Sequence, residues 1–216
     1  TSQGNYPVIV GRDVIDDLGL ELQKTGQQGR AFIVADEVMF SNPVRRAQEA
    51  LERGGYETHV LAMEIGESSK NIATLEVVYS WLADRRAERG DVVVAMGGGV
   101  IGDLVGFVAA TWLRGVSVVQ VPTSLTAMVD SSIGGKTGVT LPQGKNLLGA
   151  FHQPKLVVQD IVHLETLPLR EMAAGWAEAV KHGLILDADL LDTFERLAPQ
   201  MVALEGDSPV EAIRRS

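Results

Sequence analysis

The chain contains no cysteine. Disulfides and thiolate metal sites are therefore excluded, and a reducing compartment is the expected setting. Basic residues are few: 19 lysines and arginines stand against 28 aspartates and glutamates, a formal charge of −9. Nucleic acid and anionic membranes are poor partners for such a surface, because both are gripped by basic patches. No apolar run reaches the roughly 18 residues of a membrane span, and residues 1–20 lack a signal-peptide layout. A cytoplasmic protein is expected. His59, His152 and His163 have no metal-ligand spacing, and H-E-x-x-H is absent. No internal repeat or low-complexity tract is present. What remains is an ordinary globular composition, 45% hydrophobic and 22% charged over 216 residues. That length suits one large domain, or one domain and part of a second.

The most informative stretch is VVVAMGGGVIGDLVGFVAA, Val92 to Ala110. A β-branched run meets three consecutive glycines, Gly97 to Gly99, and a helical pattern follows at once. Such a bend collects unpaired N–H groups and the positive end of a helix dipole at one point, which attracts phosphate. Gly97, Gly99 and Gly102 fit G-x-G-x-x-G in the required strand-before, helix-after context. The segment reads as a nucleotide-pyrophosphate site, with a plain tight turn as the alternative. It departs from the usual dinucleotide fingerprint in following about the fourth strand, and in having Gln120 where an acid for the ribose is expected. Asp36, at the end of an earlier strand, is either a ribose contact or a capping carboxylate.

Strand and helix signals alternate through the first 160 residues. Strand-like runs are Pro7 to Val10, Ala31 to Ala35, Thr58 to Met63, Asp91 to Met96, Val116 to Val121 and Lys155 to Gln159. One intervening helix is expected to open at Ser41, with Pro43 in its first turn and Gly54-Gly55 as its stop. Another is expected from Asn71 to Arg89. This alternation predicts an α/β fold, a Rossmann-like, mostly parallel sheet with ligands beyond its carboxyl edge. After residue 160 strand signals cease. A helix is expected from Leu167, with Leu169, Met172, Ala173, Trp176, Ala177, Val180 and Leu184 on one apolar stripe. Asp187 to Leu204 and Pro209 to Arg215 follow as helices. The expected division is residues 1–160 as the α/β domain and 161–216 as the start of an all-helical domain, too short for a core of its own.

Three further clusters carry chemistry. Gly66-Glu67-Ser68-Ser69-Lys70 follows a strand and is either a nucleotide contact or a capped helix start. Val121 to Phe151 reads as glycine-rich loops holding Thr123, Ser124, Asp130, Ser131, Ser132, Lys136, Lys145 and Asn146. Two lysines among glycines suit a multiply anionic ligand, since an ammonium is a compact charge with three donors. A solvated loop is the alternative. On the helix after Leu167, Glu178 lies one turn from Lys181 and His182. It is either a surface ion-pair partner or one metal ligand, and a single Glu cannot build a zinc site.

With these segments in view, the chain resembles the 3-dehydroquinate synthase family of sugar-phosphate cyclases. The matching stretches are GGGVIGDLVGF (97–107), RGVSVVQVPTSLTAMVDSSIGGKTGV (114–139), GKNLLGAFHQP (144–154) and LPLREMAAGWAEAVKHGLILD (167–187). Dehydrogenases of the glycerol-dehydrogenase type share the glycine turn but not the IGGKTGV and GKNLLGAF pair. The resemblance implies an NAD-binding α/β domain followed by a helical metal-binding domain. It also implies NAD- and metal-dependent conversion of 3-deoxy-arabino-heptulosonate 7-phosphate to 3-dehydroquinate and phosphate in the shikimate pathway. It assigns cofactor contacts to Ile65, Gly66, Glu67, Ser68, Ser69 and Lys70; to Gly98, Gly99, Val100, Ile101, Gly102 and Asp103; to Thr123 and Ser124; and to His163, Leu164, Glu165 and Thr166. Lys136 and Lys145 match further cofactor or substrate contacts. Asp130, Lys136, Asn146 and Lys181 match the substrate pocket. Arg114 matches a phosphate-contacting arginine that acts across a homodimer, and Glu178 matches a ligand of zinc or cobalt. Family members are longer, and two histidine metal ligands are expected beyond Ser216. The chain is thus expected to be the front part of the enzyme. The competing expectations are an NAD-binding fragment without catalysis and a polyol dehydrogenase.

Overall fold

A computed structural model describes residues 5–39 and 42–216. The strands are β1 (Val8–Gly11), β2 (Ala31–Asp36), β3 (Thr58–Met63), β4 (Val92–Gly97), β5 (Ser117–Pro122), β6 (Lys136–Leu141), β7 (Gly144–Phe151) and β8 (Leu156–Asp160). The helices are α1 (Leu18–Lys24), α2 (Pro43–Arg53), α3 (Ile72–Asp84), α4 (Gly99–Thr111), α5 (Leu169–Leu186), α6 (Ala188–Val202) and α7 (Ser208–Arg215). Six strands form one sheet in the order β1-β8-β5-β4-β2-β3, and all its pairings are parallel. The sequence expectation of a Rossmann-like α/β sheet is met.

The sheet is buried on both faces because alternate side chains feed two cores. Ile33, Val92, Val94 and Met96 join Leu18, Leu22, Val44 and Leu51 from α1 and α2. Phe32, Val34, Val93 and Ala95 join Leu75, Val78, Leu82, Ile101 and Leu104 from α3 and α4. Period-2 alternation within unbroken apolar runs produces this double packing. Each fully buried Leu or Ile contributes about 1.5–3 kcal/mol.

Three sequence expectations need correction. The Val121–Phe151 stretch is not loop. It contains a five-residue π-helix, Ala127–Ser131, and an antiparallel hairpin of β6 and β7 with Leu141 opposite Gly144. Only Pro142 and Gln143 turn that hairpin. Helix α3 stops at Asp84, short of Arg89, and Arg86 adopts φ 52 beyond it. On α5 the buried face is Met172, Gly175, Trp176, Ala179 and Gly183, whereas Leu169 and Leu184 are exposed. The packing stripe is rotated because Gly175 admits the β5-following segment: a Cβ there would come 2.5 Å from that of Leu125. The expected helix start at Ser41 lies outside the described residues, and α2 is described from Pro43. Helices α5 to α7 share a third core with Leu125, Met128 and Val129. Among the described residues, no helix is long and apolar enough to cross a membrane.

Candidate functional site

The chain runs from β2 to β3 in one direction along the sheet, and from β4 to β5 in the other. The carboxyl ends of β2 and β4 therefore flank a topological switch point, where α/β sheets open a ligand crevice. Helix α4 begins there. Gly98 caps it with extended backbone, and the first ladder bond runs from the Gly102 N–H to the Gly98 carbonyl, 3.1 Å. The N–H groups of Gly99, Val100 and Ile101 precede that bond and have no intrahelical acceptor. Thr123 N–H donates to the Gly97 carbonyl at 3.0 Å, which fastens the end of β5 to the turn. Gln120 answers the missing acid. It is buried under α4 and donates to the Gly102 carbonyl at 3.1 Å, and a Cβ on Gly102 would lie 2.9 Å from its Oε1. Position 120 holds the turn rather than a ribose.

Beside the turn is a cleft of about 450 Å³, lined among others by Asp103, Asp130, Ser131, Lys136, Asn146 and Phe151. The π-helix supplies Asp130 and Ser131, and the hairpin supplies Lys136 and Asn146. Lysines here stand paired with carboxylates. Lys70 bonds Asp103 and Lys136 bonds Asp130, both at 2.5 Å; Lys145 bonds Glu67 at 2.8 Å. Lys181 bonds Glu178. Burial pushes the Asp103 carboxyl above its usual range, against the pull of Lys70. The Lys145 ammonium holds Glu67 below the usual range. The Glu178 carboxylate raises Lys181, and Asp130 adds to the effect. Asp130 thus feels cations from both the hairpin and α5.

The structure gathers most of the expected residues. Ile65 to Lys70 follow β3, where the Gly66 N–H donates to Ser69 Oγ at 3.2 Å. Asn71 then caps α3 by accepting from the Thr74 N–H at 3.0 Å. Asp36 stands at the carboxyl end of β2 and accepts from the Val38 N–H at 3.2 Å, a local capping bond. Ser124 Oγ accepts from the Ala127 N–H at 3.4 Å. His163 to Thr166 are the last four residues of a short 3-10 helix, Ile161–Thr166, that follows β8. Leu164 is buried in the third core, and Glu165 pairs with Arg12 at 3.0 Å. His163 is buried near Pro122 with neither ring nitrogen in a well-formed hydrogen bond, and burial lowers its pKa. Arg114 is not brought in. It follows α4, whose 13 residues carry the chain about 20 Å from the glycine turn.

Sequence reasoning missed Leu147 and Phe151 as lining residues, both exposed on β7, and the bond from Lys70 to Asn146. Ser131, named in the sequence, turns out to present a bare hydroxyl: it has no hydrogen-bond partner among the described residues and lies 3.0 Å from where a Gly99 Cβ would be. Recognition of the LPQG turn would have revealed the hairpin. The orphan amides, the glycine turn and Ser131 fit a nucleotide phosphate. The metal case differs: among the described residues no three His, Asp or Glu side chains cluster as a ligand set, and Glu178 stands alone.

Comparison with known proteins fits this geometry. The family model described as 3-dehydroquinate synthase N-terminal matches residues 60–174. The 3-dehydroquinate synthase of Roseobacter denitrificans is 46% identical over 211 residues, covering 98% of this chain and 57% of that protein. The chain thus spans little more than half the length of the curated relatives it matches. Among solved structures, 2-epi-5-epi-valiolone synthase from Streptomyces hygroscopicus, with NAD+ and Zn2+ bound, superposes with a TM-score of 0.88 at 30% identity. That match covers 100% of this chain and 60% of the other. A 2-deoxy-scyllo-inosose synthase, complexed with carbaglucose-6-phosphate, NAD+ and Co2+, gives 0.79 at 28% identity over 85% of this chain and 50% of that one.

Proposed function

Since the chain belongs to the 3-dehydroquinate synthase family, we propose that its cleft is the NAD and sugar-phosphate part of a phosphate-eliminating lyase. The reaction is conversion of 3-deoxy-arabino-heptulosonate 7-phosphate to 3-dehydroquinate and phosphate. One observation carries this reading: a turn of free amides at the switch point opens beside a cleft lined by the Lys136–Asp130 pair and by Asp103, which Lys70 bonds. A dinucleotide has phosphates for the first, and a sugar phosphate bearing a carboxylate has two anionic groups for the second.

NAD, when bound, supplies a reversible hydride acceptor. The amides of Gly99, Val100 and Ile101 would take its pyrophosphate, with Thr123, Ser124 and the 65–70 and 163–166 segments around it. Asp36 is available for a ribose hydroxyl at the end of β2. Lys136, Lys145 and Lys181 would neutralise phosphate and carboxylate, and Asn146 would orient a hydroxyl by hydrogen bonding. Asp130 holds Lys136 in place until the anion arrives. Arg114, at the far end of α4 from the glycine turn, would serve the site of a second copy in a homodimer. Glu178 is one candidate ligand for zinc or cobalt. The described residues do not complete a metal site.

The test is substrate-dependent phosphate release by the full-length protein. Lys136→Ala should lower it by about 10²-fold or more with an unchanged melting temperature; near-normal release would refute the role of Lys136. Net NADH accumulation with a simple polyol, without phosphate release, would identify a dehydrogenase instead. Glu178→Gln should reduce the bound metal of the full-length protein, and unchanged metal content would remove Glu178 from the ligand set.

A further inference from the structure

Lys70 differs from the other cleft lysines in being buried. Its side chain is 7% exposed, against 49% for Lys136, 72% for Lys145 and 49% for Lys181. A buried ammonium persists only with acceptors close by. Lys70 has two, on different elements: Asp103 Oδ2, four residues past Gly99 in α4, and Asn146 Oδ1 on β7, each at 2.5 Å. Its backbone carbonyl also accepts from the Thr140 N–H of β6 at 2.8 Å. One residue is therefore fastened to the helix that presents the free amides and to both strands of the hairpin that lines the cleft. Asn146 sits at φ 55, a left-handed conformation that Asn tolerates better than most residues. With its side-chain oxygen held by Lys70, its amide nitrogen remains as a donor of fixed direction.

We infer that Lys70 is a positioning residue that couples occupancy of the glycine turn to occupancy of the sugar-phosphate cleft. The inference rests on the reading of those two half-sites given above. A dinucleotide phosphate over Gly99 to Ile101 bears on the helical turn directly before Asp103, which lies four residues after Gly99, and adds negative charge near the Lys70–Asp103 pair. The ammonium then redistributes between Asp103 and Asn146, and the Asn146 amide moves with it. A sugar phosphate engaging Asn146 acts in the reverse direction. Each ligand meets an arrangement the other has set, which is a coupling free energy and must be reciprocal.

The test is calorimetric titration of the full-length protein, stripped of metal to prevent turnover, with NAD, alone and with saturating 3-deoxy-arabino-heptulosonate 7-phosphate. The sugar phosphate should lower the NAD Kd by about 5-fold or more, and NAD should do the same for the sugar phosphate. In Lys70→Met the ratio should fall to within about twofold of unity, and Lys70→Arg should restore part of it. Asn146→Ala should also abolish the ratio. It leaves the buried pair with Asp103 intact, so it covers the case in which Lys70→Met does not fold. A wild-type ratio of one, with both ligands bound, overturns the coupling while leaving the two half-sites standing. So does a ratio retained in Asn146→Ala or in folded Lys70→Met. A wild-type chain that binds neither ligand overturns the reading of the half-sites, and the coupling with it.

Discussion

Two charged pairs with little access to water stand at opposite edges of the sheet. At the amino edge, Asp91 accepts from the backbone N–H groups of Arg30 and Glu88 at 2.8 and 2.7 Å, and from the Arg30 guanidinium at 2.8 Å. Arg30 also donates to the carbonyls of Arg85 and Arg86, at 3.0 and 2.7 Å. Nearly every partner is main chain, so the pair clamps the entries to β2 and β4 and leaves nothing for a ligand. At the carboxyl edge, Lys70, Asp103 and Asn146 meet through side chains alone, from three separate elements. Burial there works against the Asp103 charge. The first arrangement has one way to be satisfied. The second has alternatives, because a lysine with three donors can change acceptors without moving the backbone.

The comparison can be broken most directly at the amino edge. Asp91→Ala should cost about 3–5 kcal/mol of stability, because it strands a part-buried guanidinium and two amides. Urea unfolding measures this, and a loss below about 1 kcal/mol would reduce the clamp to a surface pair. At the carboxyl edge, packing should outweigh charge. Gly102→Ala should cost about 1 kcal/mol net, because the buried Gln120 amide 2.9 Å from the added Cβ must shift while alanine adds helical tendency, and Gln120→Ala in the same chain should recover part of it. Strictly additive losses would mean that the two positions do not share space. A smaller effect depends on pH. Burial lowers the folded pKa of His163 below its ordinary 6.5. As pH falls below that value the unfolded chain takes up a proton that the folded chain excludes, so stability falls. Wild type should lose more stability than His163→Leu between pH 7.5 and 5.5, and parallel losses would contradict this. Lys145→Ala should have the least effect on stability, about 0.5 kcal/mol or less, because its pair with Glu67 is exposed.

How legible the molecule was depended on whether the controlling interaction was local. The six sheet strands were readable because their apolar runs are bounded by turn residues. The glycine turn was readable because strand, bend and helix are consecutive. The hairpin was not, because KTGVTL and GKNLLGAF mix glycine, polar and apolar residues; Val139 of β6 joins the second core with Leu148 and Ala150 of β7, and Thr137 meets α4 at Gly106. The buried face of α5 was misread by one step of the helical repeat, since Gly175 rather than Leu169 marks the contact. Lys70 and Asn146 are 76 residues apart, and no periodicity announces their meeting. The remoteness of Arg114 from the turn follows from the length of α4, which sequence sets only within a few residues.

Helix α4 has a consequence for assembly. Gly102 makes room for Gln120, and Gly106 makes room for Thr137, whose methyl carbon would lie 2.5 Å from an added Cβ. Each glycine weakens the intrinsic helical tendency by about 1 kcal/mol relative to alanine. The segment therefore depends on β5 beneath it and the hairpin beside it to stay wound. Its outward-facing donors come into being only when those neighbours have docked, so affinity for the proposed coenzyme would serve as a gauge of how completely the chain has folded.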